Sequence, residues 1–515
     1  MRDHGSRRFT ARITLASCVT AVTAAALTAS AAASTAAATV GPAAVSTTKT
    51  GAAAPARPSS APGASTARVT VRPDAIRLPG AATQAPASTA DCEQLDGIAC
   101  FDPDQLRAAY ELPPLYAKGI TGAGATIMIV DSFGSPTIRA DLATFDRQFG
   151  YPAPPNFTII APVGKIPPFN PGDSDMDGWA GETTLDVEYA HALAPGANIL
   201  LVETPVSETE GVTGFPQIVR AEEYALARYK VGVISQSFSA TEETFTSAAQ
   251  LGPLRAAYKE ADSSGVTVLA ASGDSGATDY QSDQVDYYTS RVTSWPDSDP
   301  LVTAVGGTQL RQQGAGYKSV AWNDTYDHAW TLYAEGSTDP SPVASGGGTS
   351  EFFARPAYQD GVKAVTGARR GVPDIAMSAA CDGSVSVYSS YQPGQAGWSL
   401  SCGTSEATPE FAAIVALADQ VAGHPIGQIN PALYRLAAEH APGIVDVTAG
   451  NNTVSFHQGT SPKPVTVAGY PAGQGYDLVT GVGTVNANQL VYELAASNSE
   501  RKPPLLLTVN DIVNS

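Results

Sequence analysis

Residues 266–276 read VTVLAASGDSG. A short, mostly apolar run ends in a Ser-Gly-Asp-Ser-Gly turn, and this join decides the fold. Three other stretches have the same build: ATIMIVDS at 125–132, ANILLVET at 197–204 and VGVISQSFS at 231–239. Between them lie helical stretches such as FPQIVRAEEYALARYK at 215–230 and GPLRAAYKEADSSG at 252–265. Strands apolar on both faces, alternating with helices, predict an α/β fold with a doubly wound, mostly parallel sheet flanked by helices. Ligands of such sheets bind at the carboxyl ends of the strands, and the 272–276 turn sits at one.

The rest of the chain falls into zones. Arg7, Arg8 and Arg12 precede an apolar, small-residue run from Ile13 to Ala38. This predicts an export signal over 1–36, by the general or the twin-arginine route. Residues 37–90 are rich in Ala, Pro, Ser and Thr and read as a linker or short pro-region. Globular composition predicts one domain over 91–497, followed by a tail at 498–515. No later run is long and apolar enough to span a bilayer.

The chain has 515 residues, 43% of them hydrophobic and only 15% charged, so it can build a substantial core. Its formal net charge is −19. Residues 1–90 hold nine Lys/Arg and two Asp/Glu, so the remaining 21 basic and 47 acidic residues carry −26. Such a surface repels nucleic acid and anionic membranes, and neither is expected as a partner. Cys18 leaves with the signal, and Cys92, Cys100, Cys381 and Cys402 remain. An even count in an exported chain suggests two disulfides, with three pairings open; Cys381–Cys402 would bracket the segment before Ser405. Their spacing does not suggest zinc.

The candidate chemistry lies in four stretches. In SCGTSEATPEFAAIVALADQ (401–420), a Gly-Thr-Ser turn leads into an Ala-rich helix. Ser405 would sit at a helix N-terminus, where N–H groups favour developing negative charge, and Pro409 reads as a first-turn proline. A nucleophilic serine needs a base. The six histidines are His4, His191, His328, His424, His440 and His457, and none lies in the Gly/Thr-flanked loop that subtilisins use. Asp131 imitates the subtilisin aspartate strand, which reads as shared architecture. The base is therefore sought among carboxylates. GWAGETTLDVEYAHALAPGANI (178–199) places Glu182 and Asp186 four residues apart on a predicted helix, where like charges share a face and repel. Asp274 lies in the SGDSG turn. ASGGGTSEFFARPAYQ (344–359) carries Gly346–Gly348, which permit a close backbone approach.

In this order, these stretches resemble the sedolisin family of serine-carboxyl peptidases, which have a subtilisin-like fold. The resemblance spans about residues 101–486 and rests on GETTLD, SGDSGA, SGGGTSEFFARPAYQ and GTSEATP, with VTAVGGT and RGVPDIAMSA in support. It implies Ser405 as nucleophile, Glu182 as base, Asp186 as its orienting partner and Asp274 as oxyanion donor. A carboxyl donates only when protonated, which implies an acidic working pH. GIVDVTAGNN (443–452) and YPAGQGYDLVTGVG (470–483) resemble the family's single calcium site. The implied ligands are Asp446, Asp477 and the carbonyls of Val447, Gly473 and Gly475, a hard-oxygen set that suits Ca²⁺. VISQSFSATEE (233–243) resembles the substrate-binding strand, with Ser239 where the family usually has Gly.

Two departures stand out. The 37–90 segment cannot form the large prodomain usual in the family, and Glu406 adds an acid beside Ser405, most simply a solvated one at a helix start. The reading is a secreted, monomeric peptidase acting on polypeptides. Its rivals are a subtilisin-type peptidase with an unrecognised histidine such as His191, and a non-catalytic binding protein on the same scaffold.

Overall fold

The computed structural model describes residues 76–77 and 83–497, except 208–212, 315, 328, 331–338 and 460. The expected signal and tail lie outside the described residues, as do most of 37–90, His4 and His328. Ten strands organise the fold: β1 (Thr126–Ser132), β2 (Phe157–Ile160), β3 (Asn198–Thr204), β4 (Val233–Gln236), β5 (Thr267–Ala271), β6 (Thr303–Gln313), β7 (Gly316–Ala321), β8 (Ile375–Ser378), β9 (Ser384–Ser389) and β10 (Gly397–Cys402).

The main sheet has eight strands in the order β7-β6-β5-β4-β1-β3-β2, with β8 also against β6. Every pairing is parallel except β6–β7. The expected doubly wound sheet is present. Its central strands β1, β3, β4 and β5 are buried on both faces, and the period-2 alternation of side chains supplies two cores. Ile127 and Ile129 face one core; Met128 and Val130 face the other.

Five helices cover the faces: α1 (Ser174–Leu193), α2 (Phe215–Leu226), α3 (Ala256–Ser264), α4 (Thr404–Ala422) and α5 (Ala487–Ser497). α2 and α3 pack with the Met128 core. α1, α4 and α5 pack with the Ile127 core, α4 lying against both α1 and α5. α1 is buried from Trp179 to Leu193 except at Gly181, and α4 is buried from Thr404 to Asp419. Helices enclosed on all sides need apolar residues all round, which makes every acid on them conspicuous.

A second sheet of four strands holds β9 and β10 with Cys100–Phe101 and Ile76–Arg77. Ile76 pairs with Cys402 and Arg77 with Ser401, while Thr83 bridges to Trp398. The fold thus takes in residues from the segment read as linker. Ser88 caps helix Thr89–Leu95 with a reciprocal box to Asp91. The cysteines pair as Cys92–Cys100 and Cys381–Cys402, the second tying the entry of the β9–β10 hairpin to its exit.

Candidate active site

The site forms where α1, the β5 end and the start of α4 meet. α4 begins at Thr404 with Gly403 as its cap, and Gly403 takes φ 119°, a value that suits glycine. Ser405 is the second residue of the helix and is fully buried; its Oγ has no hydrogen-bond partner. Asp274 approaches from the end of β5. Its Oδ1 accepts from Thr404 N at 2.7 Å and Thr404 Oγ1 at 2.8 Å. Asp274 therefore caps the helix that carries Ser405, while its Oδ2 is buried without a partner. Burial pushes the Asp274 carboxyl up to about 8, against the two Thr404 hydrogen bonds. With both bonds on Oδ1, the proton belongs on Oδ2, which makes that oxygen a donor.

The glycine run approaches this loop as expected. Gly346 N donates to Gly273 O at 2.7 Å, and Ala344 N donates to Asp274 O at 2.8 Å. A Cβ on Gly346 would fall 1.8 Å from Ser272 O, so only glycine fits.

Glu182 and Asp186 are fully buried on α1. Asp186 Oδ1 accepts from Ser237 Oγ at 2.9 Å, and the same hydroxyl lies 3.5 Å from the Ser405 carbonyl. Pro409 explains why that carbonyl is free. It stands at the sixth position of α4, beyond the expected first turn, and removes the N–H that would bond Ser405 O. Ser237 thus links the acid helix to the nucleophile helix. Burial raises Asp186 well above the carboxylate range, and the Asp131 charge adds to this; the Ser237 hydroxyl and the Glu182 carboxyl oppose it.

Asp131, read from the sequence as an architectural imitation, therefore faces Asp186. It is the next-to-last residue of β1, is 1% exposed and is pushed by burial to about 7. Its strand-end position was the available signal. A small cleft of about 70 Å³ opens beside Glu182, with Asp177, Gly181, Ser389, Tyr391 and Ser401 in its wall. A larger one, about 170 Å³, lies around Thr126, Gly232 and His424, at the amino end of the strands and away from these groups.

Two further expectations meet the structure here. Glu406 is not a solvated helix-start acid: it is fully buried. His191 is not beside Ser405: its Nε2 contacts Pro152 O at 2.8 Å and Asp146 Oδ1 at 3.2 Å. Among the described residues no histidine is a hydrogen-bond partner of Ser405 or Asp186.

Asp446 and Asp477 come together around one turn. Gly475 N donates to Asp446 Oδ2 at 3.0 Å, and Gly473 N donates to Asp477 Oδ2 at 2.9 Å. Asp477 is 6% exposed, its carboxyl is raised by burial, and among the described residues neither acid has a cationic partner. No group of three or more His, Cys, Asp or Glu side chains that could hold a metal occurs among the described residues. The set that the resemblance implies has only two carboxylates, the rest being main-chain oxygens, and donors of this chemistry suit a hard cation such as Ca²⁺.

The sequence pattern of the subtilase family matches residues 174–461. The chain is 31% identical over 418 residues to kumamolisin of Bacillus sp. (strain MN-32), covering 78% of this chain and 65% of that protein. It is 30% identical over 372 residues to human tripeptidyl-peptidase 1, covering 69% of this chain and 57% of that one. The chain belongs to the subtilase family, on its sedolisin branch. The structure of Pseudomonas sedolisin, a serine-carboxyl proteinase complexed with pseudo-iodotyrostatin, superimposes with a TM-score of 0.63 at 26% identity, covering 78% of this chain and 99% of that one. This sedolisin homologue spans less than two thirds of the length of either curated relative. Among its described residues no helix is long and apolar enough to cross a membrane.

Proposed function

We propose that this protein is a secreted peptidase that hydrolyses polypeptides at acidic pH through Ser405, Glu182, Asp186 and Asp274. The observation that carries this reading is the Asp274 carboxyl, held by Thr404 beside Ser405 with its second oxygen unpartnered. A buried carboxyl raised to about 8 stays mostly protonated through the acidic range and into the neutral one, so Oδ2 can donate while Oδ1 accepts from Thr404.

Ser405 Oγ attacks the peptide carbonyl, and Glu182 takes its proton and returns it to the leaving amine as the C–N bond breaks; water, giving a proton to Glu182, then attacks the acyl-Ser405 ester, and the proton returns to Ser405 as the acid leaves. Asp186, held by Ser237, orients Glu182, and Asp131 adds a third acid to the cluster. Neighbouring buried carboxyls cannot all ionise, so the cluster keeps protons at working pH. Asp274 Oδ2–H donates to the oxyanion, assisted by the N-terminus of α4. Because Asp274 keeps its proton up to about 8, it does not by itself confine activity to acid.

Calcium bound at Asp446, Asp477 and the carbonyls of Val447, Gly473 and Gly475 would supply positive charge to a turn that otherwise holds two acids. Export through a signal at 1–36, with a linker or short pro-region after it, agrees with the two disulfides.

The test is proteolysis of denatured protein from pH 2 to 8 by the wild type, Ser405→Ala and Glu182→Gln. An acidic optimum with both variants inactive is the expected result. A Glu182→Gln enzyme that keeps its turnover would remove Glu182 as the base.

A further inference from the structure

Glu406 has a companion. Glu410 lies one turn further along α4, and both side chains are fully buried. Among the described residues no hydrogen bond of ordinary geometry reaches any of their four oxygens. Among the described residues neither forms an ion pair.

The surroundings supply acids and phenols. The Ser378 hydroxyl at the end of β8 favours the charged form of Glu406, and Asp274, facing it from the β5 end, disfavours it. Tyr110, at the end of helix Pro103–Ala109, faces both and accepts from Ser378 N at 2.6 Å. From α1 come Tyr189, which faces both, and Glu188 beside it. On α5, Glu493 turns instead to Gly443 N. Glu182 and Asp186 make the like-charged i,i+4 arrangement on α1, and Glu406 and Glu410 make it on α4. Only the first pair has a task in the proposed reaction.

Two ionised carboxylates buried here, with no cationic partner among the described residues, would be poorly solvated and would repel each other. Neutral, they are tolerable. Burial raises both well above the glutamate range; at Glu406 the Ser378 hydroxyl opposes this and the Asp274 charge adds to it, and at Glu410 the Glu406 charge adds to it. Because the folded state binds these protons more tightly than the unfolded chain, the stability tied to them is complete below the ordinary glutamate value. It is lost as pH rises through the folded value.

We propose that Glu406 and Glu410 are a proton-holding pair that keeps the first turns of the Ser405 helix ordered only while both are neutral, and so act as an alkaline off-switch. This rests on the reading of Ser405 as nucleophile. The pair touches no reacting atom; it is a positioning device. Loss of a proton places an anion between Asp274 and the core, and the Asp274–Thr404 contact that caps the helix opens. The switch is reversible, since no bond is broken.

The test uses the full chain in a Ser405→Ala background, which prevents self-digestion, with thermal unfolding followed from pH 3 to 9. Glu406→Gln with Glu410→Gln should move the alkaline loss of stability upward by about one pH unit or more. Glu406→Ala with Glu410→Leu, which makes the site apolar, should do the same and covers the case in which the amides do not fold. Hydrogen exchange of residues 404–412 with the pair intact should show protection falling with rising pH before that of β1. Equal alkaline midpoints in the reference and both double variants, or simultaneous loss of protection throughout, overturn the proposal. The cleavage assay separates the two readings. Absence of cleavage with the shift present removes the peptidase and leaves the pair. Acid cleavage without the shift does the reverse.

Discussion

Asp274 is the residue whose chemistry depends most on where it is. In an open turn it would be an ordinary carboxylate; buried, with both hydrogen bonds on one oxygen, it becomes a donor. Asp274→Ala should lower kcat by about 10²–10³, the usual loss for an oxyanion donor. Asp274→Asn keeps an N–H donor that does not titrate, so it should recover part of that loss and flatten the profile near pH 8. Steady-state kinetics across pH for both variants decides this; equal activity of Asn and Ala would count against the donor role. The Glu182–Asp186 pair stood out in the sequence because two like charges share one helix face; Asp274 stood out only through the family resemblance, since an acid in a turn is ordinary. Glu410 did not stand out. A glutamate in an Ala-rich helix reads as exposed, and only the packing of α1 and α5 around α4 shows it buried.

At the scale of elements, α1 and α4 matter because they are enclosed, and the sheet decides which residues they bring together. The parallel strands were readable from apolar runs and turns. Pro409 reads one turn too early in the sequence: α4 starts at Thr404, where the Gly-Thr-Ser turn puts it, and the proline five residues on already lies in the second turn. The Cys381–Cys402 bridge ties the hairpin leading into α4 across 21 residues. Replacing both cysteines by alanine should cost about 3 kcal/mol in urea unfolding at acid pH, by the loop-closure argument. The Asp446–Asp477 turn gives a second test. A calcium chelator should lower the unfolding temperature, and Asp446→Asn should remove the effect. An unfolding temperature indifferent to chelator in both proteins would argue against a cation there.

At the scale of the molecule, acids dominate the buried ionisable side chains. Burial pushes Asp131, Glu203, Asp324 and Asp419 to about 7, and Glu222 to about 8. Each has a folded value above its unfolded one, so its contribution is complete below pH about 4 and is lost as pH rises through 7 to 8. Each such group can contribute a slope of about 1.4 kcal/mol per pH unit. Urea midpoints at pH 4, 6 and 8 should therefore fall in that order; a flat or rising series would contradict the burial of these groups as neutral acids. The net charge was readable as a total, but the burial of so many acids was not, because that depends on which helix faces are covered. Gly346 has a different consequence. The loop bearing Asp274 is clamped by main-chain groups of Gly273, Ala344 and Gly346, with no room for a side chain at Gly346. Side chains around the cleft can therefore drift over evolutionary time without moving that carboxyl. A saturation library should show intolerance at Gly346, a position with no chemistry of its own, amid permissive neighbours in the cleft wall.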